Sequence, residues 1–409
     1  MMIKNLSIYI HIPFCVRKCL YCDFLSFPVS DHEKLRENCS DKHECTDTDK
    51  KIGSYVNLLL AEIKKQSIFY KNHEVMSVFF GGGTPSLMDA GQVTVIMKAI
   101  RDNYQISDSA EITMEMNPGT VTQAKLKEYI TCGINRISIG LQSADNDELV
   151  RIGRIHDFET FLNTYHMARE AGLVNINIDL MSALPGQSIA SYRNTLERVV
   201  ALEPEHISAY SLILEEGTPL YEEQDSYTFP SEEEDRQMYL LTGHYLAEHG
   251  YHRYEISNYA KDGYECRHNK VYWQRGDYVG FGLGAASMVE ECRWSNPSKW
   301  EEYAAYVHAI KGRQTGQNMQ SEEVALPKRH KLTVPEQMEE FMFLGLRMMC
   351  GVGRTDFYRK FGQQIEEVYG SVLDKLCGQG LIQQDNDRIW LTERGIDISN
   401  YVMAQFLFD

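Results

Sequence analysis

The sequence predicts an α/β fold built on parallel strands, followed by a smaller helical unit. Six short runs rich in β-branched and aromatic residues recur through the first half of the chain. Segments with apolar residues three and four positions apart separate these runs, which indicates helices between strands. Such alternation is typical of parallel βαβ units. Because six units are too few for a closed eight-stranded barrel, an open partial barrel or a doubly wound sheet remains.

The predicted strands mark one edge of the sheet as the place for chemistry. They are "SIYIHI" (7–12), "VMSVFF" (75–80), "EITMEM" (111–116), "RISIGL" (136–141), "NINIDL" (175–180) and "HISAYSL" (206–212). Functional residues of such folds collect where the strands end. Polar or special residues occupy five of these strand ends, namely Cys15, the "GGGTP" run at 81–85, Glu115 with Asn117, Gln142 and Asp179.

The pattern changes after residue 225. A helix is expected from "SEEEDRQMYLLTGHYLAEHG", with Ser231 and Glu234 spaced as a capping box, and a strand from "YHRYEISNYA". The C-terminal "GLIQQDNDRIWLTERGIDISNYVMAQFL" predicts a helix, a two-stranded wing and a helix. We therefore expect three units: 1–225 with the site, 226–320 as an α/β extension with a linker, and 321–409 as a small winged-helix-like domain.

Composition excludes several classes of protein. The net charge of -17 argues against nucleic acid as the main partner. No run approaches the roughly 18 apolar residues of a membrane span, and the N-terminal run lacks the length of a signal peptide. We expect a cytoplasmic protein, in which ten cysteines do not form a disulfide framework.

A polar stretch, "ENCSDKHECTDTDKK" (37–51), interrupts the first crossover and is interpreted as a loop insertion. Its Cys39 and Cys45 have the residue type of metal ligands, with His43 between them. An exposed loop is the favoured interpretation, because no second ligand pair accompanies them.

Three cysteines lie close together in "CVRKCLYC" (15–22), with the spacing C-x3-C-x2-C. A structural zinc ion usually has four protein ligands, and a four-iron cluster likewise has four corners. Three cysteines therefore leave one iron open to a substrate or cofactor. The alternatives are zinc with a distant fourth ligand and three buried core cysteines. The basic loop after a strand end, which favours thiolates, argues against the last of these.

This motif, with Tyr21 before its last cysteine, resembles the signature of the radical S-adenosylmethionine superfamily. The resemblance implies one 4Fe-4S cluster on Cys15, Cys19 and Cys22, with S-adenosylmethionine chelating the open iron. It implies reductive cleavage of that cofactor to a 5′-deoxyadenosyl radical. It also implies a partial (β/α)6 radical SAM barrel, in agreement with the six strand–helix units.

Further motifs resemble one family within the superfamily. They are "YIHIPFCVRKCLYCDF", "FFGGGTPSLM", "EMNPGTV", "RISIGLQS", "NIDLMSALPGQ" and "LTERG" followed by "ISN". Together they resemble the family of oxygen-independent coproporphyrinogen III oxidases and HemW-type heme chaperones. The resemblance implies that S-adenosylmethionine contacts Tyr9, Tyr21, Gly81, Gly82, Gly83, Thr84, Glu115, Gln142, Arg154 and Asp179. Arg154 is expected at a carboxylate and Asp179 at the ribose hydroxyls.

Two features separate the heme chaperones from the oxidases in this resemblance. The oxidase motif continues C-x-x-C-x-C after a long N-terminal segment, whereas Cys22 here is followed by Asp23 and Phe24, and 14 residues precede Cys15. In addition, "RHNKVYW" resembles the H-N-x-x-Y-W motif that is linked to heme binding. His268 is the expected heme contact, Tyr272 and Trp273 offer aromatic area, and Cys266 is a second candidate ligand.

Three functions are compatible with these residues. The favoured one is a chaperone that binds a cluster, S-adenosylmethionine and heme and delivers heme to acceptor proteins. The second is an oxidase that decarboxylates coproporphyrinogen III, and the third is a radical enzyme acting on another substrate. Implied partners are heme, acceptors such as respiratory cytochromes, an electron donor such as flavodoxin or ferredoxin, and, transiently, a membrane.

Overall fold

The computed structural model describes residues 3–29, 47–310 and 327–408. In these ranges the largest element is a twelve-stranded sheet, of which seven neighbouring strands run parallel. The parallel strands are β1 (Lys4–Ile12), β4 (His73–Gly82), β5 (Gln105–Met116), β6 (Arg136–Gln142), β7 (Ile176–Ser182), β8 (His206–Ser211) and β11 (Tyr278–Phe281).

Antiparallel strands extend both edges of this sheet. They are β9 (His252–Glu255), β10 (Asn258–Ala260), β12 (Ala286–Val289), β13 (Cys292–Ser295) and β14 (His330–Lys331). The spatial order is β14-β13-β12-β11-β1-β4-β5-β6-β7-β8-β10-β9. A separate short pair, β2 (Phe14–Cys15) and β3 (Phe27–Pro28), brackets the cysteine loop, and a small C-terminal sheet contains β15 (Val352–Gly353), β16 (Ile382–Gln384) and β17 (Arg388–Leu391).

Helices cover the sheet and build the C-terminal unit. They are α1 (Asp47–Gln66), α2 (Ala90–Asn103), α3 (Gln123–Thr131), α4 (Asn146–Arg151), α5 (Phe158–Ala171), α6 (Ile189–Val200), α7 (Pro219–Glu222), α8 (Glu232–Glu248), α9 (Arg267–Trp273), α10 (Trp300–Ile310), α11 (Val334–Gly345), α12 (Arg354–Phe361), α13 (Ile365–Gly378), α14 (Glu393–Asp397) and α15 (Ser399–Ala404). Within the described ranges, none of these helices is long and apolar enough to cross a bilayer.

The predicted α/β fold class is confirmed, and each of the six predicted strands is present within a few residues of its expected ends. One parallel strand was not predicted, because β11 is only four residues long and contains a glycine. It pairs with β1 and therefore places residues 278–281 beside the first strand of the barrel. The chain after residue 250 thus contributes directly to the sheet that carries the predicted site.

The two faces of the parallel strands differ in chemistry, because successive side chains of a strand point to opposite faces. One face is apolar and packs under the helices, through residues such as Ile8, Val78, Ile112, Ile139 and Ile178. The other face lines internal cavities, and polar side chains dominate it: Tyr9, Glu115, Arg136, Ser138, Asn177, Asp179 and Ser208. The strands therefore bury polar groups that need partners or ligands.

A second core belongs to the C-terminal unit. Its buried apolar residues include Met342, Phe357, Leu373, Ile389 and Phe406, and they form a cluster separate from that of the sheet. The predicted two-stranded wing corresponds to the β16–β17 pair, and the predicted final helix corresponds to α14 with α15. The first predicted helix of this stretch is wrong, because α13 ends at Gly378, before the stretch begins, and β16 follows at Ile382. The domain boundaries at 225/226 and 320/321 stay predictions, and residue 320 lies outside the described residues.

A buried carboxylate joins α1 to the strands beyond β1. Glu62 is fully buried, and its Oε2 accepts hydrogen bonds from the Tyr303 hydroxyl at 2.7 Å and the Gly282 amide at 2.9 Å. Its Oε1 accepts from Asn296 Nδ2 at 2.7 Å and Gln66 Nε2 at 3.1 Å. Burial nevertheless outweighs these donors and raises the pKa of Glu62 to about 7.

We predict that Glu62 makes stability fall as pH rises. A carboxyl whose pKa is raised on folding stabilises the folded state below its unfolded pKa, and this contribution is lost as pH passes the folded pKa. Between pH 5.5 and 7.5 the free energy of unfolding of the wild-type protein should fall by about 2 kcal/mol more than that of Glu62→Gln. Chemical denaturation at both pH values measures the difference, and identical pH dependence of the two proteins would contradict it.

Candidate functional site

The cysteine loop lies over the strand ends, between β2 and β3. Cys15 is the last residue of β2, and the Cys22 amide donates to the Cys19 carbonyl at 3.3 Å in a tight turn. The loop is tied to the α4–α5 connection, because Arg17 Nη2 donates to the Gly153 carbonyl at 2.8 Å and the Leu20 amide donates to the Ile152 carbonyl at 3.1 Å. These contacts fix the three thiols against the strand ends.

Most of the predicted residues line one cavity of about 140 Å³ under this loop. Its lining includes Cys15, Cys19, Tyr21, Cys22, Gly82, Gly83, Glu115, Gln142, Arg154 and Asp179. They come from the cysteine loop, the ends of four parallel strands and the α4–α5 connection. The expectation that separate strand ends would converge agrees with this geometry.

Burial sets the protonation of the thiols. It raises the pKa of Cys15 and raises that of Cys22 to about 11, and Lys18 and Arg154 only partly oppose it. In the absence of metal, Cys15 and Cys22 are therefore protonated at neutral pH. The sequence suggested that the basic loop favours thiolates, but its positive charges alone do not outweigh burial. Bound iron would supply the positive charge that stabilises thiolates.

The arrangement does not favour a single metal ion. Among the described residues, no three His, Cys, Asp or Glu side chains are grouped as ligands of one ion. An iron–sulfur cluster instead binds each cysteine at a different iron, which requires wider spacing of the thiols. The donor set of three cysteines around a small cavity therefore fits a cluster better than zinc. Cys39, Cys45 and His43 lie outside the described residues.

The glycine run at the end of β4 brings backbone close to the cavity. Gly82 has φ +107, and a Cβ on it would lie 2.4 Å from the His11 ring. A Cβ on Gly83 would lie 2.6 Å from the Phe14 carbonyl, and one on Gly81 would lie 2.9 Å from the Phe79 ring. Only glycine fits these positions. Thr84, next in the run, donates to Cys15 Sγ at 3.6 Å.

Two carboxyl groups, Glu115 of β5 and Asp179 of β7, lie on the inner face of the sheet and line the same cavity. Glu115 Oε2 accepts from the Gly82 amide at 3.1 Å, while burial and, next, the negative charge of Asp179 raise the pKa of Glu115 to about 8. Asp179 accepts from Ser138 Oγ at 3.0 Å and from Asn177 Nδ2 at 2.7 Å, and burial raises its pKa as well. At neutral pH Glu115 is mainly protonated, so it can both donate and accept.

Arg154 joins the cysteine loop to the strand ends. Its Nη2 donates to Asn117 Oδ1 at 2.8 Å and to the Gly140 carbonyl at 2.5 Å, and its Nη1 donates to Cys19 Sγ at 3.5 Å. The Nε atom is buried without a partner. Gln142, at the end of β6, has a left-handed φ of 74°, which is uncommon outside glycine.

Tyr21 and Tyr9 flank the cavity in different ways. Tyr21 packs on a small apolar cluster of Ile152, Met181 and Leu184, and burial raises its pKa. The Tyr9 hydroxyl bonds His11 Nδ1 at 3.1 Å, and Tyr9 lines a second cavity of about 180 Å³ deeper in the barrel. Glu115 and Asp179 border both cavities, so the two are adjacent.

Helix α9 lies against the inner face of the sheet, and its N-terminus is held by β5. Glu111 accepts hydrogen bonds from the backbone amides of Arg267 at 3.0 Å and His268 at 3.1 Å. Cys266 Sγ also donates to Glu111 at 3.5 Å. Cys266 is fully buried and burial raises its pKa to about 12, so this cysteine does not fit the role of an accessible thiolate ligand.

His268 faces the barrel interior and both of its ring nitrogens are hydrogen bonded. Nδ1 lies 2.8 Å from Ser77 Oγ, which itself donates to Ser7 Oγ, and Nε2 lies 2.8 Å from the Tyr272 hydroxyl. Nδ1 is then the donor and Nε2 accepts from Tyr272, so the lone pair that iron needs is occupied. Burial lowers the pKa of His268 to about 3, which keeps the ring neutral. Its contact with heme stays a prediction.

A much larger cavity of about 950 Å³ adjoins α9 and the 180 Å³ cavity, because Tyr210, Asn269 and Tyr272 border both cavities. Asn269, Tyr272 and Trp273 line it, together with β8, α8, the β9–β10 hairpin and residues 394–400 of the C-terminal unit. The Arg347 guanidinium lies 4.2 Å from the centre of the Trp273 ring. This volume is within the range of about 300 to 1,000 Å³ typical of small-molecule sites, whereas the 180 Å³ cavity is below it.

Several residues that line these cavities or hold α9 were not marked by the sequence. Asn117 was recognised as a strand end without a role, and Glu111, Arg136 and Arg347 were not singled out. Glu111 is four residues before Glu115 in the same strand and therefore shares its face, which was a usable signal. No local signal marked Arg347, which approaches α9 only through the fold of the C-terminal unit.

Comparison with known proteins places this geometry in a family. Residues 9–199 match the radical SAM superfamily, and residues 332–398 match the HemN C-terminal domain. The heme chaperone HemW of Bacillus subtilis is 34% identical over 98% of this chain and 99% of its own. The heme chaperones HemW of Lactococcus lactis and Escherichia coli are 33% and 32% identical, each over at least 98% of both chains.

A solved structure shares the fold. The coproporphyrinogen III oxidase HemN of Escherichia coli, described as a radical SAM enzyme, superposes with a TM-score of 0.79. The match covers 98% of this chain and 90% of HemN at 22% sequence identity. The radical SAM domain implies a 4Fe-4S cluster and S-adenosylmethionine. By sequence identity over its full length, the chain belongs to the HemW family of radical SAM proteins.

Proposed function

We propose that this protein is a heme chaperone, which binds heme beside α9 and delivers it to acceptor proteins. The observation that carries the proposal is the 950 Å³ cavity lined by Asn269, Tyr272 and Trp273 of the helix with the H-N-x-x-Y-W sequence. Relatives that match almost the whole chain are named heme chaperones, which supports the same function.

The same proposal assigns the cluster to Cys15, Cys19 and Cys22, with S-adenosylmethionine at the fourth iron. When bound, the cluster supplies the electron that cleaves this cofactor. The chain's own residues would hold the cluster and S-adenosylmethionine and shield them from solvent. The backbone of Gly81–Gly83 carries no side chains and would let the cofactor approach closely. Asp179 accepts hydrogen bonds, and Glu115 is protonated and can donate one. Arg154 holds Cys19 in position through its Nη1 contact.

Aromatic and polar side chains of the large cavity suit heme. Tyr272 and Trp273 present ring surface next to it, as porphyrin faces require. Polar atoms that are buried without hydrogen-bond partners border the same cavity: Trp273 Nε1, Arg347 Nε, Glu255 Oε2 and Asn258 Oδ1. Unpartnered buried atoms of this kind call for a ligand or water. Heme is cargo in this account, separate from the cofactors held at the strand ends.

The alternative function is oxidative decarboxylation of coproporphyrinogen III, which is considered because the chain shares the fold of the oxidase HemN. A substrate of that reaction must reach the cofactor through the barrel interior. There α9 leaves a cavity of only about 180 Å³ beside Glu115 and Asp179. A cavity of this volume is too small for a tetrapyrrole, which favours binding of heme in the adjoining 950 Å³ cavity over entry of a tetrapyrrole into the cofactor site.

Partner proteins are part of the proposal. Acceptors such as respiratory cytochromes would take the heme, and an electron donor such as flavodoxin or ferredoxin would reduce the cluster. Arg17 is exposed and Lys18 partly exposed beside the cluster cavity, which suits an acidic donor protein. A transient contact with a membrane stays a prediction.

Heme titration under anaerobic conditions tests the proposed function. The cluster-reconstituted protein should bind heme saturably at one per chain, followed by the Soret band. His268→Ala should weaken binding about tenfold, because losing the bonds to Ser77 and Tyr272 loosens α9. His166→Ala, at an exposed position on α5, is the matched control.

The spectrum separates two roles of His268. If His268 only positions α9, the Soret maximum stays the same in the variant while the affinity falls; a shifted maximum would make it an iron ligand. Absence of specific heme binding in the wild type, together with formation of protoporphyrinogen from coproporphyrinogen III, would replace the chaperone function by the oxidase.

The glycine run provides a test of the cofactor site. Gly82→Ala should weaken S-adenosylmethionine binding at least tenfold, because the new Cβ meets His11 and displaces the amide that bonds Glu115. The strained φ should also cost about 1 to 3 kcal/mol of stability. Gly91→Ala, on α2 with no atom within 4 Å of the new Cβ, is the control. Calorimetry measures both, and unchanged cofactor affinity in Gly82→Ala would contradict the assignment.

A further inference from the structure

The large cavity contains one cation whose hydrogen-bonding capacity is not used. Among the described residues that line it, three are arginines. Arg236 Nε pairs with Asp397 at 2.7 Å, and Arg394 Nη1 donates to the Gln379 carbonyl at 3.2 Å. Arg347 Nε is buried and has no hydrogen-bond acceptor.

The nearest carboxylate does not satisfy Arg347. Arg347 Nη2 lies 3.6 Å from Glu255 Oε2, which is beyond hydrogen-bond length. Glu255 cannot turn toward it freely, because its Oε1 already accepts from the Ser257 amide at 3.0 Å and from Asn258 Nδ2. Glu255 is fully buried, so its position is fixed by the hairpin that carries it.

The Trp273 ring makes a cation–π contact with the Arg347 guanidinium. The Arg347 guanidinium carbon lies 4.2 Å from the ring centroid, a distance typical of a stacked cation–π pair. Stacking uses the face of the guanidinium and leaves its N–H edge available for a planar acceptor. A carboxylate is the acceptor that matches this edge, through two parallel N–H···O bonds.

We propose that Arg347, oriented by Trp273, binds a carboxylate of the ligand in the large cavity. This inference rests on the proposed function, in which the ligand is heme and the carboxylate is one of its propionates. Arg347 belongs to the C-terminal unit and Trp273 belongs to α9. A ligand bound by Arg347 would therefore contact both the C-terminal unit and α9. The ligand class is thus a planar aromatic molecule with a free acid group, and an ester of that acid is a poor ligand.

The test compares heme with heme dimethyl ester, in which both propionates are esterified. Anaerobic Soret titrations use the cluster-reconstituted full chain of the wild type, Arg347→Gln and Arg347→Lys. Arg359→Gln is the control, since Arg359 is 75% exposed and does not line the cavity. The wild type should bind heme about 10 to 100 times more tightly than the ester.

Arg347→Gln should lose heme affinity by about the same factor and bind the ester as the wild type does. Arg347→Lys should retain part of the preference for heme over the ester, because lysine keeps the positive charge but lacks the planar pair of N–H donors of the guanidinium. Equal losses for heme and ester in Arg347→Gln would mean that Arg347 only joins the two units, and this would overturn the inference. Equal affinity of the wild type for heme and for the ester would also overturn the inference, while the proposed function as a heme chaperone would stand. A wild type that binds neither overturns both.

Discussion

The contact between Glu111 and the first residues of α9 determines how the rest of the site is arranged. The carboxylate accepts two backbone N–H groups that would otherwise be unpaired in a buried helix end. It also places negative charge at the positive end of the helix. With its N-terminus fixed to β5, α9 directs His268 into the barrel and Trp273 toward the C-terminal unit. Both the inner 180 Å³ cavity and the outer 950 Å³ cavity owe their shapes to this placement.

The polar inner face of the parallel strands explains why such a helix is needed. A sheet with buried polar groups on one face gains stability only if each group finds a partner. At the upper end, the cysteine loop and the cofactors of the superfamily would meet them. At the lower end α9 supplies the partners, since His268 bonds Ser77 of β4 and backbone amides of α9 bond Glu111 of β5. Through Asn269 and Tyr272 the helix also borders both the 180 Å³ cavity next to Glu115 and the 950 Å³ cavity proposed for heme.

The sequence was informative where the fold repeats a simple pattern. Alternation along the strands gave the α/β class, and the superfamily motif gave the cysteines that line one cavity with Glu115 and Asp179. The orientation of His268 was not predictable, because its partner Ser77 lies in a strand 191 residues earlier in the chain. Arg347 reaches Trp273 only after a second domain has packed against the first, and no local spacing encodes that contact. The brief β11 strand was missed because four residues carry too little periodicity.

Hydrogen–deuterium exchange of the reconstituted protein with and without heme distinguishes heme binding in the large cavity from heme binding at the strand ends. Heme bound in the large cavity should slow exchange in residues 267–273, in residues 394–400 and around Arg347. Residues 15–22 and 81–84 should exchange at the same rate in both states. Protection of residues 15–22 and 81–84 without protection of 267–273 would place heme at the strand ends and contradict the account.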